Sequence, residues 1–179
     1  SVHLMGLLSN HNSAHSAPEH LYALLELLHL EKIQHIYLHL FTDGRDSGQY
    51  ESNRHVSLLE KYFHGHEKIA TIMGRFYAMD RNKNWSRIKA AYEAMVLGKG
   101  FKAGSAAEAL RNAYNKKKTD EFIEPSIIVE KGKPVATVKD NDAVFFFNLR
   151  SDRSRQLTKV FVQPNFKELN DGAFTRAKH

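Results

Sequence analysis

The sequence predicts a three-layer α/β/α domain with a mostly parallel sheet and an appended β-hairpin. Four apolar runs have the length and composition of buried strands, and segments with helical periodicity lie between them. Strands that alternate with helices are typical of a parallel sheet that is covered on both faces. The chain has 179 residues, of which 42% are hydrophobic, and this size suits a single domain.

The four predicted strands cover residues 3–9, 34–42, 68–74 and 143–149, and the last contains three consecutive phenylalanines. Three helices are predicted between them. Leucines at 21, 24, 25 and 28 follow a helical spacing after Pro18, a residue suited to the first position of a helix. Apolar residues at 85, 88, 92 and 95 define a second helix, which Gly98 or Gly100 ends. A third covers about 105–114, and the lysines at 116–118 complement its C-terminus.

The rest of the chain is predicted to form a hairpin and a tail. Apolar residues at 127–129 and 135–138 flank Lys131-Gly132-Lys133, which is typical of a hairpin. The polar residues after Pro164 show no clear periodicity. We therefore assign residues 1–164 to the domain and 165–179 to a C-terminal linker or tail.

Composition narrows the classes of function. The chain has 26 Lys plus Arg against 20 Asp plus Glu, a net charge of +6, which favours an anionic partner. The absence of cysteine excludes disulfides, thiolate metal sites and thiol nucleophiles. The sequence has neither an apolar run long enough for a membrane span nor a signal-peptide pattern. We expect a cytoplasmic protein.

Every predicted strand runs into arginine or histidine. These residues are His11 and His15, Arg45, Arg75 and Arg81, then Arg150, Arg153 and Arg155. Ligands of open α/β sheets bind outside the carboxyl ends of the strands, where such side chains converge. Arginine remains charged and grips phosphate or carboxylate through two parallel hydrogen bonds. The pattern predicts a site for a small anion, such as a phosphate ester.

Acidic residues between these cations have two possible roles. Neighbouring arginines lower the pKa of Asp46 and keep it ionised, so that it can accept a proton from a substrate hydroxyl; alternatively, it only orients Arg45. Asp43, Asp80 and Asp152 are expected to form turns, cap helices or orient arginines.

The segment after the last strand contains two candidate helix caps, Ser151 and Asp152. If Ser151 or Asp152 caps a helix, Arg150 and Arg153 lie on one side of its first turn, where free N–H groups also attract anions. Arg155 is expected to face solvent or a structural carboxylate. His11 and His15 lie in a loop without a neighbouring carboxylate, so we expect no metal there.

Four motifs in this order identify a family. They are FTDGRD at 41–46, GRFYAMDR at 74–81, TDEFIEPS at 119–126 and FFNLRSDRSRQLT at 146–158. With them, the chain resembles the phosphotransferase domain of cofactor-independent (2,3-bisphosphoglycerate-independent) phosphoglycerate mutase, from HLMGLLS at 3–9 to about Pro164.

The resemblance implies an isomerase of glycolysis that interconverts 3-phosphoglycerate and 2-phosphoglycerate through a phosphoserine intermediate. A companion domain related to alkaline phosphatase would supply the serine and two divalent metals, usually manganese, so this chain alone would be inactive and hold no metal. Carried over by motif, Arg45 and Asp46 form a substrate-binding pair in which Asp46 accepts and donates protons of the glycerate hydroxyls. By the same resemblance, substrate phosphate or carboxylate would contact Arg75, Arg81, Arg150 and Arg153.

One loop departs from the family pattern. Where the family usually has SDGGVHSH, this chain has SNHNSAHSAPEH. His15 aligns best with the substrate-binding histidine of the family, and His11 is the alternative.

Two other functions compete with this interpretation. Positive charge and aromatics near arginines, such as Phe76 and Tyr77, also suit a basic nucleic-acid-binding α/β domain, whereas the resemblance implies neither a nucleic-acid nor a membrane partner. A phosphatase that works without a companion would need a nucleophile and a metal site within this chain.

Overall fold

The computed structural model describes residues 1–163 and 166. Its strands are β1 Val2–Leu8, β2 Ile36–Thr42, β3 Glu67–Gly74, β4 Phe101–Ala103, β5 Ser126–Glu130, β6 Lys133–Pro134 and β7 Ala143–Phe146. Its α-helices are α1 Pro18–Leu30, α2 Ser52–Leu59, α3 Arg75–Ala78, α4 Trp85–Leu97, α5 Ala106–Asn115 and α6 Arg155–Val162. None of the helices within the described residues is long and apolar enough to cross a membrane.

Seven strands form one sheet in the order β4-β5-β3-β2-β1-β7, with β6 paired to β5. The pairs β7–β1, β1–β2 and β2–β3 are parallel, so the carboxyl ends of these four strands lie at the same edge. β5 runs antiparallel to β3, and β4 is parallel to β5. The sheet is therefore mostly parallel, as predicted.

Helices cover both faces of the sheet because successive side chains along each strand point in opposite directions. On β1, Leu4 and Leu8 contact the core beneath α1, α2 and α5, whereas Met5 and Leu7 contact the core beneath α4 and α6. β2 follows the same alternation. These two apolar cores confirm the predicted three-layer α/β/α class.

Local sequence signals account for the predicted helices. Pro18 is at the first position of α1. Gly98 ends α4 in the left-handed conformation, with φ of 62°, which costs glycine little. The side chain of Ser105 accepts a hydrogen bond from the amide of Glu108 at the start of α5. All three helix predictions are confirmed.

The hairpin prediction is partly wrong. β5 and β6 form an antiparallel pair, but β6 is only Lys133–Pro134, and residues 135–138 are not a strand. β5 is an inner strand of the main sheet, between β3 and β4. Its residues Ile127 and Ile128 are buried because each packs into one of the two apolar cores, on opposite faces of the sheet.

The fourth predicted strand was wrong in length and burial. β7 ends at Phe146 instead of residue 149, and Phe145 is 55% exposed because β7 lies at the margin of the described sheet. The sequence interpretation also missed α2 and β4. The predicted tail, residues 165–179, lies outside the described residues except for Phe166, and so does Pro164 at the end of the assigned domain.

Candidate anion-binding site

The carboxyl ends of β1, β2, β3 and β7 lie at one edge of the sheet, and the segments that follow them carry most of the predicted site residues; the region between these segments is called the crevice. The loop after β1 carries His15, and the loop after β2 carries Arg45 and Asp46. β3 continues directly into α3, which begins with Arg75. The segment after β7 carries Arg150 and the residues that follow it. These positions lie far apart in the sequence, and the parallel order of the strands brings them together.

Arg75 lies at the bottom of the crevice with only 3% of its side chain exposed. Its Nη1 lies 2.6 Å from Oδ1 of Asp43 and 2.8 Å from Oδ2 of Asp46. Burial by itself would lower the pKa of Arg75, but the hydrogen bonds to Asp46 and Asp43 outweigh it and the pKa is raised. Arg75 therefore remains a fixed cation.

Asp46 is held in place by hydrogen bonds from Arg75 and Ser13. Ser13 donates a hydrogen bond of 2.8 Å to Oδ2 of Asp46, the oxygen that also accepts from Arg75. Burial favours a raised pKa for Asp46, but the hydrogen bonds from Arg75 and Ser13 are stronger effects together and lower it. With 33% of its side chain exposed, Asp46 is an ionised carboxylate within reach of a ligand.

Asp43 shapes the loop that presents Asp46. Its side chain is fully buried, and Oδ1 accepts hydrogen bonds from the amides of Arg45 and Asp46 at 3.2 and 3.1 Å. Oδ2 accepts a short hydrogen bond from Ser9. Asp43 thus forms a turn and orients Arg75, in agreement with the prediction for this residue.

Asp152 lies between cations from two different strand ends. Nη1 of Arg81 donates a 3.1 Å hydrogen bond to Oδ2, and Nε of Arg150 lies 3.6 Å from Oδ1. Burial opposes ionisation of Asp152, yet the charge of Arg150 and the hydrogen bond from Arg81 lower its pKa. Asp152 therefore orients two arginines, each of which keeps more than half of its side chain exposed.

The structure separates the two candidate histidines. His15 is buried, with 6% of its side chain exposed, and its Nδ1 lies 3.9 Å from Oδ1 of Asp152. Burial and the charge of Arg75 lower the pKa of His15, so the neutral imidazole is favoured. His11 is 72% exposed beside Glu19 and lines a separate cavity of about 250 Å³. Of the two, His15 is the residue at the crevice.

The condition that Ser151 or Asp152 caps a helix is not met. Residues Ser151–Arg153 form a single 3-10 turn in which neither side chain caps a helix, and α6 begins only at Arg155. Arg153 instead donates to the carbonyl of Met79 at 3.2 Å, which directs its side chain toward the segment after β3. Arg155 is exposed, as expected, and bonds to the hydroxyl of Ser151.

Positive charge is concentrated in this crevice. Burial lowers the pKa of Arg153, and the charges of Arg75, Arg81 and Arg45 lower it further. Arg45, at the outer rim, is 54% exposed and lies 3.7 Å from Glu121. Cations that repel one another at close range are stabilised by an anion that binds between them.

The sequence interpretation missed a segment that holds the loop after β2. Asp120 is fully buried, and its Oδ2 accepts hydrogen bonds from the amides of Glu51 and Ser52, where α2 begins. Its carbonyl accepts from Thr42, and its amide donates to Gln49. Asp120 thus connects both ends of the loop that carries Arg45 and Asp46. The TDEFIEPS motif contains this residue, but a motif alone does not reveal its contacts.

The aromatic residues beside the crevice are packed against one another. The guanidinium of Arg87 lies 3.7 Å from the centre of the Phe76 ring. Tyr77 and Phe122 contact the same ring, with centroids 5.2 and 5.0 Å away. Asp80, a predicted arginine partner, accepts from Arg87 at 3.3 Å and from the amides of Asn82 and Asn84. Phe76 therefore serves to pack this rim.

The described residues include no cluster of three or more His, Asp or Glu side chains arranged to hold a metal ion. The crevice contains guanidinium groups that suit phosphate or carboxylate, a neutral imidazole, and two partly exposed ionised carboxylates, of which Asp152 is paired with Arg81 and Arg150 and Asp46 with Arg75. This combination suits an anionic ligand that also carries a hydroxyl group.

The chain is similar in sequence to a known family of proteins. The sequence profile of the family described as BPG-independent PGAM N-terminus matches residues 1–179. The 2,3-bisphosphoglycerate-independent phosphoglycerate mutase of Clostridium perfringens is 50% identical over 169 residues, which are 93% of this chain and 33% of that protein. The protein of the same name from Myxococcus xanthus is 43% identical over 182 residues, 100% of this chain and 35% of its own length.

A solved structure agrees in fold. The phosphoglycerate mutase of Leishmania mexicana, crystallised at low cobalt concentration, superposes with a TM-score of 0.88 and 31% sequence identity. The match covers 93% of this chain and 33% of that one. The chain thus spans about a third of the length of the relatives that it matches.

Proposed function

Since the chain belongs to the family of 2,3-bisphosphoglycerate-independent phosphoglycerate mutases, we propose that it is the substrate-binding part of such a mutase. The complete enzyme would interconvert 3-phosphoglycerate and 2-phosphoglycerate through a phosphoserine. A companion domain, in the two thirds of the relatives that this chain does not cover, would supply the serine and two divalent metal ions, with manganese expected. The reaction would take place in the cytoplasm.

One observation carries the proposal: arginines from three strand ends, with the imidazole of His15 from a fourth, lie around two partly exposed carboxylates, Asp46 and Asp152. Arg75 and Asp46 are joined at 2.8 Å, and Arg81 and Arg150 meet at Asp152. A phosphoglycerate carries a phosphate and a carboxylate on a three-carbon frame, so it requires cations on more than one side. Convergent arginines meet this requirement because each binds an oxyanion in a planar, two-pronged geometry.

Each residue has a role in the proposed mechanism. Substrate phosphate and carboxylate would be held by Arg45, Arg75, Arg81, Arg150 and Arg153, together with His15. The bound glycerate would stay in the crevice while its phosphoryl group is on the companion serine. Over the complete reaction from 3-phosphoglycerate to 2-phosphoglycerate, the oxygen on C3 gains a proton and the oxygen on C2 loses one.

Asp46 is the proposed acceptor of the proton that the oxygen on C2 loses, which then returns to the serine oxygen as the phosphoryl group leaves it. The proton that the oxygen on C3 gains is the one that the serine loses when it attacks. The lowered pKa of Asp46 keeps it in the ionised form that accepts a proton, and its partial exposure leaves it open to a hydroxyl. If Asp46 is replaced by Asn, Asp43 still balances Arg75. Asp46→Asn should therefore retain substrate binding in this chain and abolish turnover in the complete mutase.

Binding of nucleic acid receives less support from the same geometry. A base that stacks on Phe76 would have to displace the guanidinium of Arg87 from its ring. The fixed pairing of Arg75 with two buried or half-buried carboxylates also suits a small, defined anion better than a polynucleotide backbone.

Calorimetric titration of 3-phosphoglycerate into the chain tests the proposal. Arg75→Ala is a poor probe, because it would leave the buried Asp43 without a counter-charge and destabilise the fold. Arg81 is 52% exposed, so Arg81→Ala keeps the fold and removes a charged hydrogen-bond donor. We expect this variant to weaken binding about tenfold or more, since hydrogen bonds to charged groups contribute roughly 1.5–3 kcal/mol.

Arg111→Ala is the matched control, because Arg111 is an exposed arginine on α5, and we expect it to bind like the wild type. Equal affinity of Arg81→Ala and the wild type would contradict the assignment of this crevice. Binding of 3-phosphoglycerate that is lost equally in both arginine variants would indicate a nonspecific charge effect instead.

A further inference from the structure

Several buried polar atoms of the crevice lack hydrogen-bond partners among the described residues, and two of them face each other. One is Nδ1 of His15 and the other is Oδ1 of Asp152. They lie 3.9 Å apart, which is about an ångström beyond a hydrogen bond. A buried polar atom without a partner is costly, so two such atoms at this distance are expected to pair after a small side-chain movement.

The main chain already holds the two segments together. The amide of Leu149, three residues before Asp152, donates a 2.9 Å hydrogen bond to the carbonyl of His15. The hydroxyl of Ser16 bonds to the carbonyl of Leu7, which fixes the loop of His15 to β1. Only side-chain rotation of His15 or Asp152 is then needed to close the gap. Arg81 anchors the other oxygen of Asp152, so that Oδ1 remains directed to this side.

We infer that Asp152 is a positioning residue that fixes the proton of the neutral His15 ring on Nδ1, so that Nε2 accepts a hydrogen bond from a substrate hydroxyl. A carboxylate only accepts hydrogen bonds, so pairing with Asp152 requires the proton on Nδ1. In a neutral imidazole the other nitrogen then carries a lone pair and no proton. The inference rests on the proposed function, because it assigns His15 a group of that substrate.

The surroundings of His15 indicate where Nε2 acts. Nδ1 is fully buried, so the small exposed part of the side chain lies away from Asp152. His15 is also close enough to Asp46 to influence the pKa of that carboxylate. In 3-phosphoglycerate the single hydroxyl, on C2, is not the oxygen that carries phosphate. Nε2 would therefore hold this hydroxyl, whereas the arginines bind the charged groups.

Nitrogen-15 NMR of the histidine-labelled, ligand-free chain tests the proton position directly, because protonated and unprotonated ring nitrogens have different chemical shifts. The signals of His15 are assigned by their loss in His15→Gln. In the wild type we expect a proton on Nδ1 and none on Nε2. Asp152→Ala should move a substantial fraction of the proton to Nε2. The matched control is Asp140→Ala, because Asp140 is exposed in the turn before β7.

A proton on Nε2 in the wild type, or an unchanged spectrum in Asp152→Ala, would overturn the inference. This result does not depend on ligand binding. Asp152 is 30% exposed, so its truncation is expected to leave the fold intact, and the dispersion of the remaining histidine signals verifies this.

A pair of ligands tests the role of the hydroxyl. Dissociation constants are measured for 3-phosphoglycerate and for 3-phosphonooxypropionate, the analogue that lacks the hydroxyl. We expect the wild type and Asp140→Ala to prefer 3-phosphoglycerate about tenfold, and Asp152→Ala to show a preference of about twofold or less. Loss of orientation at Arg81 and Arg150 affects both ligands alike, so their ratio isolates the hydroxyl.

An unchanged ratio in Asp152→Ala would refute the assignment of the hydroxyl to His15. Failure of both ligands to bind the wild type would count against the proposed function, while the proton position on His15 would still be decided by the ligand-free spectrum.

Discussion

The arginines of the crevice are balanced by carboxylates within the same chain. Arg75 lies between Asp43 and Asp46, and Asp152 accepts from Arg81 while it faces Arg150. Internal carboxylates prevent mutual repulsion from spreading the guanidinium groups in the absence of ligand. They also mean that an incoming phosphate has to share or replace existing partners, so affinity depends on the carboxylates as much as on the arginines.

Another set of titratable residues lies away from the crevice, inside the sheet. His39 on β2 lies 2.9 Å from both Nδ1 of His3 and the hydroxyl of Thr71, and His3 lies 3.2 Å from Asp142. Burial, followed by the proximity of His3, lowers the pKa of His39 well below 6.5. Burial also lowers the pKa of His3, although Asp142 opposes this effect.

These shifts predict a loss of stability in acid. Because the pKa of His39 in the folded state lies below its unfolded value of 6.5, the unfolded chain binds more protons between these two values. The stabilisation is complete above the unfolded pKa and is lost as the pH falls below it, by at most about 1.4 kcal/mol per pH unit for one group. Urea unfolding at pH 7.5, 6.5 and 5.5 should therefore show decreasing free energies of unfolding.

Two variants identify the group responsible. His39→Gln keeps a polar side chain that does not titrate, so its free energy of unfolding should vary less steeply with pH. His20→Gln changes an exposed histidine on α1 and should follow the wild type. If His39→Gln and the wild type had the same slope, another group would have to account for the acid effect.

The sequence predicted which residues lie at the crevice but not which side chains pair there. The crevice positions of Arg75, Asp46 and His15 followed from where strands end, since parallel strands bring their carboxyl ends together. Their pairing did not follow, because side-chain partners depend on loop geometry: Ser13 reaches Asp46, and Asp152 reaches Arg81, across many residues of sequence.

At the scale of elements, the turn Asp120–Phe122 lies across the ends of β2 and β3. A Cβ atom at Gly74, the last residue of β3, would be only 2.1 Å from the carbonyl oxygen of Glu121. A Cβ at Gly44 would lie 2.6 Å from the amide nitrogen of the same residue. Glycine at both positions allows the turn to pack closely and to hold the loop of Asp46.

Gly74→Ala should therefore destabilise the chain. Gly74 has an ordinary negative φ of −68°, so the effect is steric: the methyl group would push backbone atoms of Glu121 away. We expect the free energy of unfolding to fall by about 3 kcal/mol, at the upper end of what overpacking costs, as measured by urea denaturation. Affinity for 3-phosphoglycerate should fall in the same variant, because a displaced Asp120 would no longer hold the loop that carries Arg45 and Asp46 in place.

Gly104→Ala is the control, since the nearest atom to its added Cβ is the flexible end of Glu108, at 3.1 Å. Its free energy of unfolding should stay within about 0.5 kcal/mol of the wild type. If Gly74→Ala had the same free energy of unfolding as Gly104→Ala, the turn Asp120–Phe122 would have to move aside without loss of stability.

The success of element prediction depended on how much of each element is buried. β1, β2 and β3 are continuous apolar runs because both faces are covered, and α1 and α4 have long apolar stripes. β4 has only three residues, two of them exposed, and α2 buries little beyond Val56 and Leu59. Such elements form because neighbouring parts of the chain pair with them, which a local pattern does not reveal.

At the scale of the whole molecule, the chain forms a covered sheet with an open crevice, and its relatives are about three times as long. If the proposed function is right, the chain alone should form neither 2-phosphoglycerate nor inorganic phosphate from 3-phosphoglycerate, even with added manganese, because the attacking serine belongs to the companion domain. Phosphorus-31 NMR distinguishes all three compounds in one sample.

The complete mutase that carries this sequence is the positive control and should produce 2-phosphoglycerate under the same conditions. Release of phosphate by the chain alone would contradict the proposal that this chain binds the substrate while the companion domain supplies the nucleophile. It would require a nucleophile within these 179 residues.

The marginal position of β7 has a consequence for the crevice. β1, β2 and β3 each pair with strands on two sides, whereas β7, within the described residues, pairs with β1 only and over four positions. Local unfolding costs least where few contacts are lost. One wall of the crevice, with His15, Asp46 and Arg75, is thus anchored in the most protected part of the sheet. The opposite wall, with Arg150 and Asp152, is attached where fraying is easiest, so ligand exchange is expected to proceed through that side.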